Sequence, residues 1–282
     1  MITYTNLGYM GRLGNQMFQF ASVLGMAERK KLLARFPIEN CSTNRLNGPL
    51  DVTTGSNTPV KCDLLDCFNI PLEYFVSASN LKIRDLFRES RFDYDPLSEQ
   101  IQEDTDCYGY FQTEKYFSHI EEKVKELLSF KSKFIEEGDR KMQQNSLGKK
   151  PISVHIRRGD YTLYPDHHPT CGMDYYLNAL EEFTKKGIEF TSLLIFSDDK
   201  KWCQENLPNS INFPLVISDV NCPYTELYMM TQCKYHIIAN SSFSWWGAWL
   251  ADSELTIAPK KWFGKMISHN TSDIYCPSWL II

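Results

Sequence analysis

Apolar positions follow two rhythms along this chain. Short β-rich runs at 152–156, 192–196, 215–217, 236–239 and 255–258 alternate with segments at 173–185, 199–205, 224–232 and 243–250 that can form helices. Strands alternating with helices predict a parallel sheet. Right-handed crossovers gather the loops that follow its strands along one edge, where such sheets bind ligands. Nearer the N-terminus, an apolar strand over 2–7 runs into a turn containing Gly8, Gly11 and Gly14, and then into a helix over 17–27. The pattern weakens over 30–100 into short pieces with turn signals at Asn47-Gly48-Pro49 and Thr54-Gly55-Ser56-Asn57. A strand over 107–111 and a helix over 116–130 follow, the helix carrying Ile120, Val124, Leu127 and Leu128 at helical spacing. The polar stretch 131–150 reads as a hinge or surface connection, which divides the chain into domains 1–148 and 149–282.

Composition narrows the functions. The chain has 282 residues, 43% of them hydrophobic and 23% charged, enough for two modest cores. A formal net charge of -5 gives no general attraction to nucleic acid or anionic lipid, so phosphate binding must come from a local arrangement. Nine scattered cysteines without a leader-like N-terminus fit a reducing cytoplasm, and the six histidines do not fall at zinc spacings, so no metal is expected. His167 and His168 lie in a polar segment that reads as a solvated loop. No apolar run approaches the roughly 18 residues needed to span a bilayer.

Three polar clusters directly follow apolar runs: His155-Ile156-Arg157-Arg158-Gly159-Asp160, Ser197-Asp198-Asp199, and Asn240-Ser241-Ser242-Phe243-Ser244. Arginines at the end of a buried strand need anionic partners, and a guanidinium's planar fork matches phosphate oxygens in two parallel hydrogen bonds. A diphosphate on Arg157 satisfies that need. For Arg158 an internal ion pair fits at least as well, because successive residues of an extended segment face opposite sides. Residues 240–244 join a strand to a helix, so hydroxyls and free N–H groups stand at a positive helix end; phosphate binding and simple N-capping both fit there. Asp198 and Asp199 suit a divalent cation, but more commonly such residues cap the following helix. Trp245, Trp246 and Trp249 read as core, and Glu226 as a surface residue or, more sharply, a nucleobase contact. Gly8, Gly11 and Gly14 lack the spacing of a dinucleotide fingerprint; they suit a tight turn, or a close backbone approach that lets Asn15 and Gln16 reach a ligand across an interdomain cleft.

The motifs Gly11-Arg12-Leu13-Gly14-Asn15-Gln16-Met17-Phe18-Gln19-Phe20-Ala21, His155-Ile156-Arg157-Arg158-Gly159-Asp160-Tyr161 and Asn240-Ser241-Ser242-Phe243-Ser244-Trp245-Trp246-Gly247 together resemble the α-1,2-fucosyltransferases of glycosyltransferase family 11. The resemblance implies an α/β, GT-B-like pair of Rossmann-type domains facing a cleft, with GDP-fucose as donor substrate, held mainly by the C-terminal domain, and no cofactor. It places Arg157 on the donor's β-phosphate, with Arg158 beside it. His155 falls at main-chain contacts to guanine. Asn240, Ser241, Ser242, Phe243 and Ser244 fall at the diphosphate turn, and Glu226 where an acid reads guanine N1 and N2. Asn15, with Gly14 beside it, matches a position near the reacting centre in the related O-fucosyltransferases.

The resemblance further implies inverting transfer to the 2-hydroxyl of a terminal β-galactoside on an oligosaccharide or lipopolysaccharide, with the N-terminal domain on the acceptor side. A cytoplasmic location is expected, without a transmembrane segment and compatible with peripheral membrane association. The acid found a few residues past the arginine motif in α-1,6 enzymes has no counterpart in Tyr161-Thr162-Leu163-Tyr164-Pro165, so the base is open, Asp160 first and Asp166 second. Two rivals share these motifs: a transferase using another GDP-sugar, and a non-catalytic carbohydrate- or nucleotide-binding protein.

Overall fold

The computed structural model describes residues 1–41, 50–51, 56–59, 61–145 and 150–282. The signals at Asn47-Gly48-Pro49, Thr54 and Gly55, and the expected boundary at 148/149, lie outside them. The described residues form two compact units, Met1–Lys131 with His269–Cys276, and Ser132–Ser268 with Pro277–Ile282.

The first unit contains, in chain order, β1 (Ile2–Thr3), α1 (Leu13–Arg29), β2 (Ala34–Pro37), β3 (Leu50–Asp51), β4 (Ser56–Pro59), α2 (Leu64–Cys67), β5 (Phe75–Val76), β6 (Asp85–Arg88), β7 (Thr105–Tyr108) and α3 (Glu121–Leu127). Five of the strands form a parallel sheet in the order β5-β2-β1-β7-β6, while β3 and β4 make a separate antiparallel pair. Helix α1 is buried at nearly every position through Ala27, as expected of a helix apolar on all sides. It begins at Leu13 rather than at 17, so Gly14 and Asn15 belong to its first turn.

Strand β1 stops at Thr3, short of the expected 2–7, because the next backbone donor leaves the ladder: the Thr5 N–H and hydroxyl donate to the Asp106 carboxylate at 2.9 and 2.5 Å. The expected strand over 107–111 is shifted to Thr105–Tyr108 for a similar reason. The N–H groups of Tyr110 and Phe111 donate to Glu89 at 2.7 and 3.0 Å, and Phe111 has φ 52°, which breaks the extended run. The expected helix over 116–130 is divided into short 3-10 turns followed by α3.

The second unit contains α4 (Ser132–Gln144), β8 (Pro151–Ile156), α5 (Met173–Lys185), β9 (Ser192–Ser197), α6 (Lys200–Ser210), β10 (Leu215–Ile217), α7 (Pro223–Thr231), β11 (Tyr235–Ile237), α8 (Ser242–Trp249), β12 (Leu255–Ala258) and β13 (Leu280–Ile281). All six strands are parallel, in the order β10-β9-β8-β11-β12-β13. This is the doubly wound order of a Rossmann sheet. Strands β8 and β9 are buried along their whole length, which accounts for their continuous apolar character. Ile152, Val154, Ile156 and Ile195 pack with Tyr176, Ala179, Leu180 and Phe183 of α5.

The stretch read as a hinge contains helix α4 over most of its length. Gly138 lets α4 approach α7 so closely that an added Cβ would lie 2.5 Å from Cδ1 of Tyr228. Thr225 and Tyr228 of α7 donate to Glu137 and Asp139 of α4 at 2.8 and 2.7 Å. A helix with few apolar residues is thus held by this close approach, by the buried Phe134 set edge-on against Tyr224, and by polar contacts that include Lys141 with Asp219.

Candidate active site

In the second sheet the winding reverses between β8 and β11: from β8 the chain proceeds outward through β9 and β10, and from β11 through β12 and β13. A crevice opens at the carboxyl ends of the two strands flanking such a reversal. The residues that leave those ends are Arg157 after β8 and the segment Ile238, Ala239, Asn240 and Ser241 after β11.

Arg157 is largely buried, its side chain 17% exposed. Its Nη2 donates to Asp160 Oδ1 at 2.5 Å, Nη1 lies 2.9 Å from Asp198 Oδ2, and the guanidinium sits 5.0 Å from the centre of the Tyr161 ring. Burial works against its charge, but Asp198, Tyr161 and Asp160 outweigh it and raise its proton affinity above the ordinary arginine value. Its Nε is buried without a hydrogen-bond partner. An unpaired donor on a buried cation is costly, so this Nε suits an acceptor oxygen of a bound anion.

Arg158 faces a different partner. Its Nε donates to Asp199 Oδ2 at 3.2 Å and its guanidinium stacks 4.0 Å from the Trp202 ring. Asp199 also caps α6, its Oδ1 accepting the Trp202 N–H at 3.1 Å. Asp198 does not cap: it accepts the Arg158 backbone N–H at 2.9 Å on Oδ1 and pairs with Arg157 through Oδ2. Sequence reasoning weighed the two aspartates as a metal pair or as caps, and missed that one of them fixes the arginine loop. Gly159 makes this approach feasible, since an added Cβ would lie 2.4 Å from Asp198 Oδ2. Among the described residues, no group of three or more His, Cys, Asp or Glu is arranged to hold a metal ion.

The opposite wall is the start of α8. Ser241 is the N-cap, its hydroxyl accepting the Phe243 N–H at 3.4 Å, and Ser242 opens the helix half-buried. The buried Ser244 hydroxyl points back to the carbonyls of Ala239 and Ser241, both at 3.4 Å. Asn240 is a clamp: its Nδ2 donates to the Pro169 and Trp262 carbonyls, each at 2.9 Å, and its Oδ1 accepts from Cys171. Tyr161 joins the two walls, donating its hydroxyl to the Asn240 carbonyl at 3.1 Å; burial, only partly offset by Arg157, pushes its pKa up to about 12. Trp245, Trp246 and Trp249 are buried core.

His155 is buried at the end of β8, its ring 5.8 Å from that of Phe243 and its carbonyl accepting from Tyr176. Burial, with Arg157 adding to it, lowers its pKa to about 3, so the ring is neutral, and its Nδ1 has no partner. Glu226 lies inside rather than on the surface: its side chain is 13% exposed, with Oε1 3.0 Å from Lys200 Nζ and 2.9 Å from the Ser218 hydroxyl. Burial raises its proton affinity, opposed by Lys200 and Ser218. His167 is exposed, whereas His168 is wedged between Tyr161 and Phe263 rather than solvated. Asp166 is half exposed and pairs with Lys265 at 3.1 Å.

In the first unit, the half-buried Asn15 accepts a hydrogen bond from Gln112 Nε2 at 2.7 Å, and Gly14 is buried beside it. Gln16 is not free to reach a ligand: its amide donates to the carbonyls of Gly11 and Lys61, and its Oε1 accepts the Asp63 N–H. Gly11 has φ 82°. An added Cβ there would meet Asn15 Nδ2 at 2.1 Å, so this glycine serves a close approach. Glu89, which sequence reasoning passed over, is raised to about 7 by burial.

The family profile described as "Glycosyl transferase family 11" matches residues 3–282. The chain is 31% identical to an α-1,2-colitosyltransferase of Escherichia coli over 266 residues, 90% of each protein. It is 28% identical to the O-antigen biosynthesis glycosyltransferase WbnK of the same species, covering 96% of this chain and 97% of that one. Human galactoside α-(1,2)-fucosyltransferase 1 is 25% identical over 86% of this chain and 64% of its own length. Among solved structures, the fucosyltransferase NodZ from Bradyrhizobium superposes with a TM-score of 0.55 at 11% identity, over 89% of this chain and 92% of that one. POFUT1 in complex with GDP gives a TM-score of 0.53 at 13% identity, over 89% and 94%. These likenesses show a GT-B-like fold of two Rossmann-type units. With the family profile spanning nearly all of its length, the chain belongs to glycosyl transferase family 11.

Proposed function

We propose that this chain is an inverting glycosyltransferase that moves fucose from GDP-fucose to the 2-hydroxyl of a terminal β-galactoside on an oligosaccharide or lipopolysaccharide. The observation that carries the reading is Arg157: a guanidinium held charged at the sheet's reversal point, with a buried Nε that lacks an acceptor, near a helix N-terminus. A diphosphate supplies an acceptor for this Nε and suits the positive end of α8. Arg157 and Arg158 face three carboxylates, Asp160, Asp198 and Asp199, so the arginine pair alone is not a cationic patch. Diphosphate binding therefore draws on directed N–H groups as much as on net charge.

In the proposed reaction the acceptor hydroxyl attacks the anomeric carbon as the bond to the β-phosphate oxygen breaks, and its proton passes to the departing β-phosphate or to solvent. Arg157 and the α8 end stabilise the charge that develops on the departing GDP. Asp160 is engaged by Arg157, which favours an orienting role for it over proton transfer. Glu226, held by Lys200 and Ser218 with its carboxylate inward, suits the amino edge of guanine, and His155 beside Phe243 suits contacts from its main chain. With both Asp198 and Asp199 committed to arginines, the reading is metal-independent. Nine cysteines present as thiols suit a cytoplasmic location.

A second reading, transfer of another GDP-sugar such as GDP-colitose, is favoured by the similarity to the colitosyltransferase. The test is GDP release from GDP-fucose with and without lactose and in chelator, with the linkage of any product determined by NMR. Acceptor-dependent release giving an α-1,2-linked fucosyl-galactose supports the first reading. Release confined to another GDP-sugar moves the assignment to the second. Tight nucleotide binding with no release from any donor returns a non-catalytic binder.

A further inference from the structure

Strand β6 is the last of the first unit's sheet, hydrogen-bonded only to β7 among the described residues. Side chains alternate across a strand, so Leu86 and Arg88 share one side of β6 about 7 Å apart. From the other side Phe87 stacks 6.0 Å from Phe111, and Glu89 accepts the Tyr110 and Phe111 N–H groups, whereas Asp85 at the start of the strand is exposed. Leu86 is 53% exposed, and in the segment leading into the strand Ile83 is 49% exposed; Lys82 and Arg88 are exposed, and the Arg84 side chain is 80% exposed although it lies 3.3 Å from Asp104. The Arg88 guanidinium lies 4.6 Å from the centre of the Tyr108 ring, where its flat stem is supported and its donors stay outside.

We propose that the exposed segment 82–88 at this sheet edge docks the protein on an anionic lipid bilayer. Three cations, Lys82, Arg84 and Arg88, against one exposed acid, Asp85, in a chain whose net charge is -5, concentrate attraction to lipid phosphates at this place. Two exposed apolar residues among them, Ile83 and Leu86, suit a partner that offers an apolar interior just below its charged surface. A second copy of the chain would set cation against cation across a shared edge, which disfavours self-pairing. Charged side chains also keep edge strands from aggregating, and that function alone predicts no affinity for vesicles. The inference does not depend on which sugar is transferred.

The test is co-sedimentation of the full chain with vesicles of phosphatidylcholine alone and of phosphatidylcholine mixed with phosphatidylglycerol. Binding only to the mixed vesicles is expected, weakening with salt, and falling at least about tenfold in Arg84→Glu/Arg88→Glu. Leu86→Ser should weaken it by a smaller factor while the salt dependence remains. GDP release with a soluble acceptor should be unchanged in both variants, which checks that they are folded. Failure of the wild-type chain to sediment with phosphatidylglycerol, or equal sedimentation of the doubly reversed variant, overturns the proposal. So does a vesicle-independent shift of oligomeric state in that variant, which would assign the edge to a second copy.

Discussion

Asp198 holds the Arg157 guanidinium, its Oδ2 lying 2.9 Å from Nη1, while its other oxygen accepts the backbone N–H of the next residue. One carboxylate therefore fixes both where the arginine loop runs and which way its charge points. Asp198→Asn should keep the fold, since it retains an acceptor for the Arg158 N–H, but should lower kcat about 10- to 100-fold with a smaller effect on KM. An Asn variant with wild-type kcat would sink the positioning role.

Arg157→Ala should reduce kcat/KM by about 10²- to 10³-fold, the usual consequence of losing one oriented charge on a leaving group. Arg157→Lys should recover little, because an ammonium cannot span Asp160, Asp198 and a phosphate together. The check is steady-state GDP release by variants whose circular dichroism matches wild type; near-normal turnover by Arg157→Ala refutes the assignment.

The Asn240 side chain is spent on structure. Asn240→Ala leaves the part-buried Pro169 carbonyl and the buried Trp262 carbonyl without their donor, which should cost roughly 2–4 kcal/mol. Urea denaturation measures it. A loss of activity with unchanged stability would instead make this side chain a ligand contact.

Glu89 gives a pH signature of opposite sign to a salt-bridged acid. Its native pKa of about 7 lies above the ordinary 4.5, so the folded state binds the proton more tightly than the unfolded chain. The resulting contribution is fully present below about 4.5 and is lost as pH rises through about 7. The stability difference between wild type and Glu89→Gln should therefore change by on the order of 2–3 kcal/mol between pH 5 and pH 8, with wild type the relative loser at high pH. A difference that stays flat over that interval rules out this titration.

Much of the second unit was legible because its strands are buried on both faces: the runs at 152–156 and 192–196 are continuous only in a sheet covered on both sides. Arg157 stood out for the same reason, as a cation directly beyond such a run. What escaped depended on contacts between distant residues. Nothing local distinguishes Asp198, which binds back across the loop, from Asp199, which caps. Helix α4 was hidden because its attachment rests partly on Gly138 meeting Tyr228, a fit that periodicity cannot register. In the first unit, Thr5 and Phe111 leave their strands to bond Asp106 and Glu89, so the strands end earlier than their apolar runs suggest.

The assignment of His269–Cys276 to the first unit makes that unit discontinuous in sequence. Asp273 accepts from Lys115 and from the Tyr94 backbone, and Asn270 donates to Asp93, so its closing contacts span 158 to 179 residues of chain. The final six residues then supply β13 to the second sheet. Each unit therefore closes on segments distant in sequence, the first on His269–Cys276 and the second on Pro277–Ile282. A fragment ending at Lys131 would lack part of the first unit and so represent an assembly intermediate rather than an independent module.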